Sequence, residues 1–290
     1  MAAEARQTCY EGNDVQSFQF FLKHSGEHGA IQKDLQRFLP GELKRIGEGK
    51  SSMDVLGVGS GGGEHDVQIL SLLQSAFPTA PLTADVVEGS RELTDNFKAL
   101  VAKTPSLQTV PFAWHISRSE DYQKQVEKNE VIKKFDLIHL IQMLYFVDDI
   151  RETIKFYHSL LKTNGKILII QEKANGGHDI LWKTFKNDLC NDAVSEYRSS
   201  GEVVAQLKSL GLKYEEHEIP HTFDITDCFD PNSANGKFLL NYMTAREDFH
   251  QSLSPEVRAA IFDLLRNKCS TEKDGKVLFN GDLSCILVHA

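Results

Sequence analysis

The sequence lacks the paired cysteines that mark disulfide scaffolds and metal-binding modules. Its cysteines are odd in number and far apart, and no two of them are spaced as Cys-x-x-Cys. Structural zinc sites and redox motifs need close pairs of that kind. We therefore interpret the thiols as free, which favours a reducing compartment and a cytoplasmic location. The five cysteines are Cys9, Cys190, Cys228, Cys269 and Cys285.

Long apolar segments are also missing. The most apolar stretch, residues 137–147, is interrupted by His139 and Gln142. It is much shorter than the ~20 residues that a membrane-spanning helix needs. The opening residues 1–14 contain no apolar core of the kind found in signal peptides. The sequence therefore predicts no membrane partner.

The sequence also has fewer positive than negative side chains. Lysine and arginine number 32 against 41 aspartates and glutamates, which gives a formal net charge of -9. Proteins that bind a phosphate backbone normally carry a basic patch, so we expect no nucleic-acid partner. A small neutral or cationic substrate fits this charge better. Because no heptad or exposed apolar stripe demands a protein partner, we also expect a monomer.

The sequence does contain a regular alternation of strand-like and helix-like segments. Short apolar runs end in turn residues and are followed by stretches with apolar residues at helical spacing. Such alternation predicts a parallel, doubly wound α/β sheet, and Asn164-Gly165 is typical of a helix C-cap. The predicted strands are residues 53–58, 82–87, 110–114, 135–140, 166–170, 213–219 and 284–288; the predicted helices are residues 64–77, 90–103, 150–161 and 203–210.

Two segments of looser pattern accompany this core. One precedes the first strand, and the other has mixed helical and turn character. Peripheral segments of this kind commonly supply a lid or a substrate pocket. The predicted organisation is an N-terminal helical substrate-binding segment (1–48), an α/β core (49–223 and 277–290) and an auxiliary insertion (224–276) that forms part of the pocket.

A glycine cluster follows the first predicted strand. Gly57, Gly59 and Gly62 satisfy G-x-G-x-x-G between a strand and a helix, and Gly61 lies within the same turn. Glycines there let the backbone approach a ligand closely. The ligand could be the pyrophosphate of a dinucleotide or the amino-acid end of S-adenosylmethionine (SAM). Glu88, at the end of the next strand, can accept from ribose hydroxyls in either case, although a tight turn with a surface acid is a third interpretation.

Later segments favour the second ligand. Residues 135–149 (FDLIHLIQMLYFVDD) and 160–169 (LLKTNGKILI) resemble the later motifs of class I SAM-dependent methyltransferases. A wider set of segments resembles the histamine N-methyltransferase family nearly end to end, beginning with FQFFLKHSGEH. These segments are residues 18–28, 67–71, 100–104, 112–115, 138–145, 211–215 and 275–280.

The resemblance implies a fold, a cofactor and a reaction. The fold is the seven-stranded, Rossmann-like class I methyltransferase sheet with its last strand antiparallel, and the peripheral segments close over the substrate. The enzyme would transfer a methyl group from SAM to the imidazole nitrogen of histamine or a related amine, leaving S-adenosylhomocysteine. By matching position, the implied SAM contacts are Gly59, Glu88, Ser119 and Ile141, to which the glycine turn adds Gly61; the implied substrate contacts are Glu27 and Gln142.

These residue types suit the implied chemistry. The carboxylate of Glu27 can anchor an alkylammonium group, and the amide of Gln142 can fix which imidazole nitrogen faces the methyl group. Neutral imidazole can attack the methyl group in line without a strong base. The alternatives are a solvated acid at a helix end for Glu27 and a turn cap for Gln142. Aromatic side chains that could wall the pocket, or serve as ordinary core, are Phe18, Tyr145, Phe146, Trp182 and Tyr242.

Several positions depart from the family pattern, mostly among the substrate contacts. Gly281 replaces an asparagine, and Asp14 and His178 replace aromatic residues. Phe146 replaces a tyrosine, and Leu93 replaces a glutamine that contacts the cofactor. These changes keep two alternatives open, namely another acceptor such as an imidazole dipeptide of the carnosine type, or a SAM-binding relative without turnover.

Other observations limit these alternatives. The acidic Asp14 and Glu172 oppose a carboxylate-bearing acceptor. His24 and His28 are spaced by four residues, as are His217 and His221, but neither pair forms H-E-x-x-H, so we expect no metal. The chain also lacks the G-x-S-x-G turn of serine hydrolases.

Overall fold

A computed structural model describes residues 13–191, 194 and 196–290. Cys9 lies outside the described residues, and so does the side chain of Asp14. The other four cysteines are free thiols, as predicted. No helix in the described part of the chain is long and apolar enough to cross a membrane.

The described residues form two β-sheets. The larger sheet has seven strands in the order β3-β2-β1-β4-β5-β10-β6, and the smaller has the order β7-β9-β8. The strands are β1 (Met53–Val58), β2 (Leu82–Glu88), β3 (Phe112–Ile116), β4 (Phe135–Ile141), β5 (Leu161–Glu172), β6 (Tyr214–Ile219), β7 (Thr222–Asp224), β8 (Ser270–Lys273), β9 (Lys276–Asn280) and β10 (Leu283–His289).

Helices connect these strands, and several begin at side-chain caps. Ser90 accepts from the backbone N–H of Leu93, and Asp149 accepts from the N–H groups of Arg151 and Glu152. The helices are α1 (Asn13–Ser25), α2 (Glu27–Gly47), α3 (Glu64–Ala76), α4 (Arg91–Ala102), α5 (Ser119–Val126), α6 (Ile150–Ser159), α7 (Gly177–Thr184), α8 (Lys186–Leu189), α9 (Ser200–Ser209), α10 (Ala234–Met243), α11 (Phe249–Ser252) and α12 (Pro255–Asn267).

The larger sheet confirms the predicted fold class. Strands β1 to β5 pair in parallel, and the last strand of the sheet runs antiparallel. Every residue of β4 is buried because the middle of a doubly wound sheet is covered on both faces. The predicted strands and helices of the core are all present, with ends displaced by a few residues.

The chain divides into two compact units. The first contains the described residues through Ala30, together with Glu172–Gly201 and Glu218–Ser284, and includes the smaller sheet. The second contains Ile31–Gln171, Glu202–His217 and Cys285–Ala290. These boundaries differ from the segments predicted at 1–48, 49–223 with 277–290, and 224–276, whose functional roles stay a prediction.

Two local predictions need correction. Asn164-Gly165 does not cap α6, which ends at Ser159; Asn164, with φ at +62°, lies inside β5. The pairing of β4 with β5 shifts register at this point, so the dipeptide forms an irregularity within a strand. The insertion at 224–276 was expected to be helical and turn-like, but it also contains β8, which an Asp274-Gly275 turn joins to β9.

Candidate active site

In the second unit, the glycine turn lies at the carboxyl end of β1. Gly59 and Gly61 have φ values of +65° and +56°, and the N–H of Gly59 donates to the carbonyl of Val87 at 2.8 Å. A Cβ atom at Gly59 would lie 2.6 Å from Cβ of Met143, whereas at Gly61 it would meet nothing within 4 Å. The turn therefore requires glycine at its first position, and it leaves open space beside Gly61.

Glu88 holds this turn against the end of β2. Its Oε2 accepts from the N–H of Gly61 at 2.9 Å, and its Oε1 accepts from the N–H of Ser90 at 2.8 Å. Burial raises the pKa of Glu88, the hydrogen bonds from Ser90 and Gly61 oppose that rise, and the charge of Asp66 adds to it. Glu88 is therefore a half-buried carboxylate held in place from two sides, which is not how a surface acid behaves.

A buried polar group beneath the turn was missed by the sequence analysis. Asp66 Oδ1 accepts from Ser60 Oγ at 2.9 Å and lies 3.0 Å from Nε2 of His139. A Cβ atom at Gly57 would fall 2.2 Å from the same carboxylate oxygen. The available signal was a histidine in the middle of β4, whose other residues are apolar apart from Asp136.

The predicted residues after β4 form a connected group. Ile141 is the last residue of the strand and is buried, and the N–H of Gln142 donates to the carbonyl of Ile170 at 2.8 Å. Gln142 has a φ of +53°, a conformation that non-glycine residues adopt mainly where the surroundings enforce it. The hydroxyl of Tyr145 donates to Gln142 Oε1 at 2.8 Å, which fixes the orientation of the amide. The ring of Phe146 lies 6.0 Å from that of Tyr145.

Ser119 begins α5, directly after β3. Its hydroxyl lies 2.9 Å from that of Tyr157, and burial keeps Tyr157 a phenol by raising its pKa. The neighbouring Arg118 donates to the carbonyl of Phe146 at 3.2 Å. Because β1 to β4 are parallel neighbours, Gly59, Glu88, Ser119 and Ile141 all lie at the same edge of the sheet. That edge is where doubly wound folds bind nucleotide-like ligands.

In the first unit, Glu27 is the first residue of α2. Only 4% of it is exposed, and its N–H donates to Ser25 Oγ at 3.2 Å. The interpretation of Glu27 as a solvated acid at a helix end is therefore wrong. A buried carboxylate is costly unless charged or hydrogen-bonding groups compensate it.

Glu172 and His178 form an ion pair in the same unit. Nδ1 of His178 lies 2.9 Å from Oε1 of Glu172, and both side chains are more than nine-tenths buried. Burial lowers the pKa of His178, but the charge and hydrogen bond of Glu172 and the charge of Glu27 outweigh it, so the pKa is raised. The sequence singled out both residues as unusual without pairing them.

Aromatic rings fill much of the first unit. Tyr242 stacks on Phe21 at 4.0 Å and on Phe18 at 6.0 Å between ring centroids. Trp182 is buried, and its Nε1 donates to the carbonyl of Met243 at 3.0 Å. Phe18 and Tyr242 thus belong to one aromatic cluster, whereas Trp182 stacks on Tyr197 with ring centroids 5.4 Å apart.

The side chain of His221 lies beside Gly281, the glycine that replaces an asparagine of the family pattern. Its Nδ1 lies 3.1 Å from the carbonyl oxygen of Gly281, and its Nε2 lies 2.7 Å from that of Ser25. A Cβ atom at Gly281 would come within 2.8 Å of the imidazole.

Among the described residues, one group in the second unit has metal-binding atoms close together. Atoms of Asp34, His217 and Cys285 lie within 4.8 Å of one another. However, His217 Nε2 lies 2.8 Å from Asp34, and burial together with the charge of Asp34 raises the pKa of the Cys285 thiol well above its usual range. A protonated thiol beside a hydrogen-bonded pair is a poor ligand set.

Comparison with known proteins places the chain among methyltransferases. Residues 31–217 match the methyltransferase domain family. Histamine N-methyltransferase from Mus musculus is 42% identical over 282 residues, covering 97% of this chain and 96% of the relative. Histamine N-methyltransferase A from Xenopus laevis is 40% identical, covering 95% and 94%. Carnosine N-methyltransferase 2 from Gallus gallus is 37% identical, covering 95% and 86%.

Solved structures share the fold at low sequence identity. The YcgJ protein of Bacillus subtilis has a TM-score of 0.55 at 16% identity, covering 86% of this chain and 97% of its own. The plantazolicin methyltransferase BamL, solved with S-adenosylhomocysteine, has a TM-score of 0.52 at 13% identity, covering 96% and 91%. Both likenesses support the class I methyltransferase fold of the larger sheet.

Proposed function

The chain belongs to the histamine N-methyltransferase family, and we propose that it transfers the methyl group of SAM to a ring nitrogen of a small imidazole amine. The observation that carries this proposal is the glycine turn held by Glu88 at the carboxyl edge of the sheet. It combines with about 40% identity to histamine N-methyltransferases along nearly the whole chain.

The residues of the second unit fit the cofactor. Gly59 and Gly61 allow the backbone to approach its amino-acid end, and Glu88 can accept from the ribose hydroxyls. Ile141 would pack against it, and the Ser119 hydroxyl would hydrogen-bond to it. When bound, SAM supplies an electrophilic methyl group on a sulfonium sulfur. Leu93, which stands where the family pattern has a glutamine, is buried in α4. Its side chain would therefore contribute apolar packing instead of a polar contact.

A charged residue and a neutral one would bind different groups of the acceptor. Glu27 would anchor the ammonium group, and the oriented amide of Gln142 would hold the imidazole ring. The aromatic residues Phe18, Tyr145, Phe146, Trp182 and Tyr242 would exclude water from the acceptor. Alignment and desolvation then carry the rate enhancement, since neutral imidazole is already a nucleophile near neutral pH.

Methyl transfer from labelled SAM tests the proposal directly. The acceptors are histamine, carnosine, histidine, tryptamine and phenylethylamine, and the variant is Glu27→Gln. We expect methylation of an imidazole amine, and a fall of about tenfold or more in kcat/KM for the variant because a charged hydrogen bond is lost. Glu48→Gln, at an exposed acid, is the matched control and should behave as the wild type.

Two results would contradict parts of this proposal. Equal kcat/KM for the wild type and Glu27→Gln would remove Glu27 as the anchor. A thermal shift with SAM but no methylation of any acceptor would identify a SAM-binding relative without turnover.

We further propose that the protein is a cytoplasmic monomer with no nucleic-acid partner. Free thiols and the net charge of -9 support this. Light scattering on the purified chain should give one mass near 32.6 kDa.

A further inference from the structure

The His178–Glu172 pair has no role in the reaction as proposed so far. His178 uses Nδ1 to face Glu172, while its second ring nitrogen, Nε2, is buried and has no hydrogen-bond partner in the part of the chain that the structure describes. Buried polar atoms in native proteins nearly always have a partner. An orphan of this kind points to a group that the chain itself does not supply.

In the part of the chain that the structure describes, aromatic rings pack around His178. The nearest rings are those of Phe279, Phe21 and Phe223, with centroids 4.8, 6.3 and 6.5 Å away. Hydrogen-bonding to Glu172 places a proton on Nδ1, and the raised pKa of His178 favours a second proton on Nε2. The orphan atom is therefore an N–H donor in apolar surroundings, where a missing acceptor is most costly.

The chemistry of candidate acceptors decides which of them can satisfy this donor. Histamine contains no oxygen: its ammonium group and one ring nitrogen donate, and the other ring nitrogen is the one that would be methylated. An imidazole that carries a carbonyl or carboxylate group supplies the missing oxygen. The ion pair also changes the expectation drawn from the sequence. Oε1 of Glu172 lies 2.9 Å from Nδ1 of His178, so a protonated His178 offsets the charge of Glu172 and weakens its repulsion of a carboxylate.

We propose that His178 selects imidazole acceptors that bear a carbonyl or carboxylate oxygen, a class that includes histidine and histidine-containing dipeptides, by donating its Nε2–H to that oxygen. This inference rests on the proposed methyltransferase function and narrows its substrate class. His178 is a specificity-determining contact here, and the chemistry of methyl transfer is unchanged. The resemblance implies an aromatic residue at this position, and a phenyl ring there could not donate to an oxygen.

Four acceptors separate the groups that His178 could contact. Histamine has neither oxygen, β-alanylhistamine has the amide carbonyl, histidine has the carboxylate, and carnosine has both. We expect the wild type to prefer the oxygen-bearing acceptors by about tenfold or more in kcat/KM, since the alternative leaves a buried charged donor unpaired. Comparison of β-alanylhistamine with carnosine identifies which oxygen is bound.

The variant should remove the pair as a unit. Changing His178 alone would leave Glu172 buried without a partner and could unfold the protein. We therefore pair Glu172→Val with His178→Phe, and we measure the ratio of kcat/KM for carnosine to that for histamine in one preparation. Unfolded protein lowers both values equally, so the ratio reports only specificity. The ratio should fall at least about tenfold.

A matched control removes another histidine–carboxylate pair. Asp34→Val with His217→Phe deletes the 2.8 Å pair of the second unit, and it should leave the ratio unchanged. A variant ratio equal to that of the wild type would overturn the proposal, and so would a wild type that prefers histamine. Absence of turnover with every acceptor, with SAM still raising the melting temperature, would instead overturn the methyltransferase function on which it rests.

Discussion

At the scale of single residues, Glu88 shows how burial and hydrogen bonding set the working pH range of a cofactor site. An ionised carboxylate accepts from ribose hydroxyls more strongly than a protonated one. Burial nevertheless raises the pKa of Glu88 above the ordinary value of 4.5, despite the opposing bonds from Ser90 and Gly61. Protonation therefore begins at a higher pH than for an exposed glutamate.

We predict that SAM affinity falls as the pH is lowered through the raised pKa of Glu88. The free protein should respond in the opposite direction, because a carboxyl whose folded-state pKa is raised contributes stability below its unfolded value and loses it as pH rises through the folded value. Melting temperatures measured with and without SAM from pH 4.5 to 8 separate the two effects. Glu88→Gln should flatten the SAM-dependent curve, whereas Glu92→Gln, at an exposed acid of α4, should not change it.

Residue identities were easier to predict than residue environments. The family resemblance supplied Glu27 and Gln142 as candidates by matching position, and Glu88 was also indicated by its place at the end of a predicted strand. The sequence could not predict that Glu27 is buried, or that His221 occupies the space at Gly281, because those contacts join residues far apart in the chain.

At the scale of elements, apolar patterning predicted the large sheet well. The central residues of β1, β4, β5 and β10 are buried and largely apolar because both faces of the sheet are covered, which leaves a strong signal. The smaller sheet was missed since β8 (STEK) is short and largely exposed. Its one clear signal was Asp274-Gly275, with both residues at positive φ in the turn.

The amino ends of β1, β4 and β5 are tied together by Asp136. This residue of β4 has no exposed surface, and it accepts from the N–H of Asp54 at 2.7 Å, from Lys50 at 2.7 Å and from Lys162 at 2.8 Å. Hydrogen bonds to Asp136 and Asp54 raise the pKa of Lys162 although burial opposes the rise. One buried carboxylate of β4 therefore links that strand to β1 and β5 by hydrogen bonds.

We predict that Asp136→Ala lowers the free energy of unfolding by about 3–5 kcal/mol, because it leaves partly buried cations and a backbone N–H without their acceptor. Asp121→Ala is the matched control. It removes an exposed carboxylate 3.4 Å from Lys124 and should change stability by about 0.5 kcal/mol or less. Urea denaturation monitored by circular dichroism measures both. A loss below about 1 kcal/mol for Asp136→Ala would contradict the role assigned to this network.

At the scale of the whole molecule, the predicted cofactor residues fall in one compact unit, whereas the predicted acceptor residues are divided between the two. Gly59, Glu88, Ser119 and Ile141 belong to the second unit together with Gln142, and Glu27 belongs to the first. The sequence anticipated this separation only as a core with peripheral segments. It could not give the unit boundaries, because strands β5, β6 and β10 each contribute residues to both units.

The net charge of -9 is a property of the whole molecule that affects how fast a charged acceptor arrives. A negative protein attracts a cationic acceptor before any specific contact forms, and salt screens that attraction as the Debye length shortens from about 30 Å in 10 mM salt to about 10 Å in 100 mM. Histamine carries one positive charge near neutral pH, whereas zwitterionic carnosine carries no net charge. We therefore predict that kcat/KM for histamine falls about two- to threefold over this range and that the value for carnosine changes little. An equal fall for both acceptors would show that salt acts on the protein itself, and a melting temperature measured at each salt concentration identifies that case.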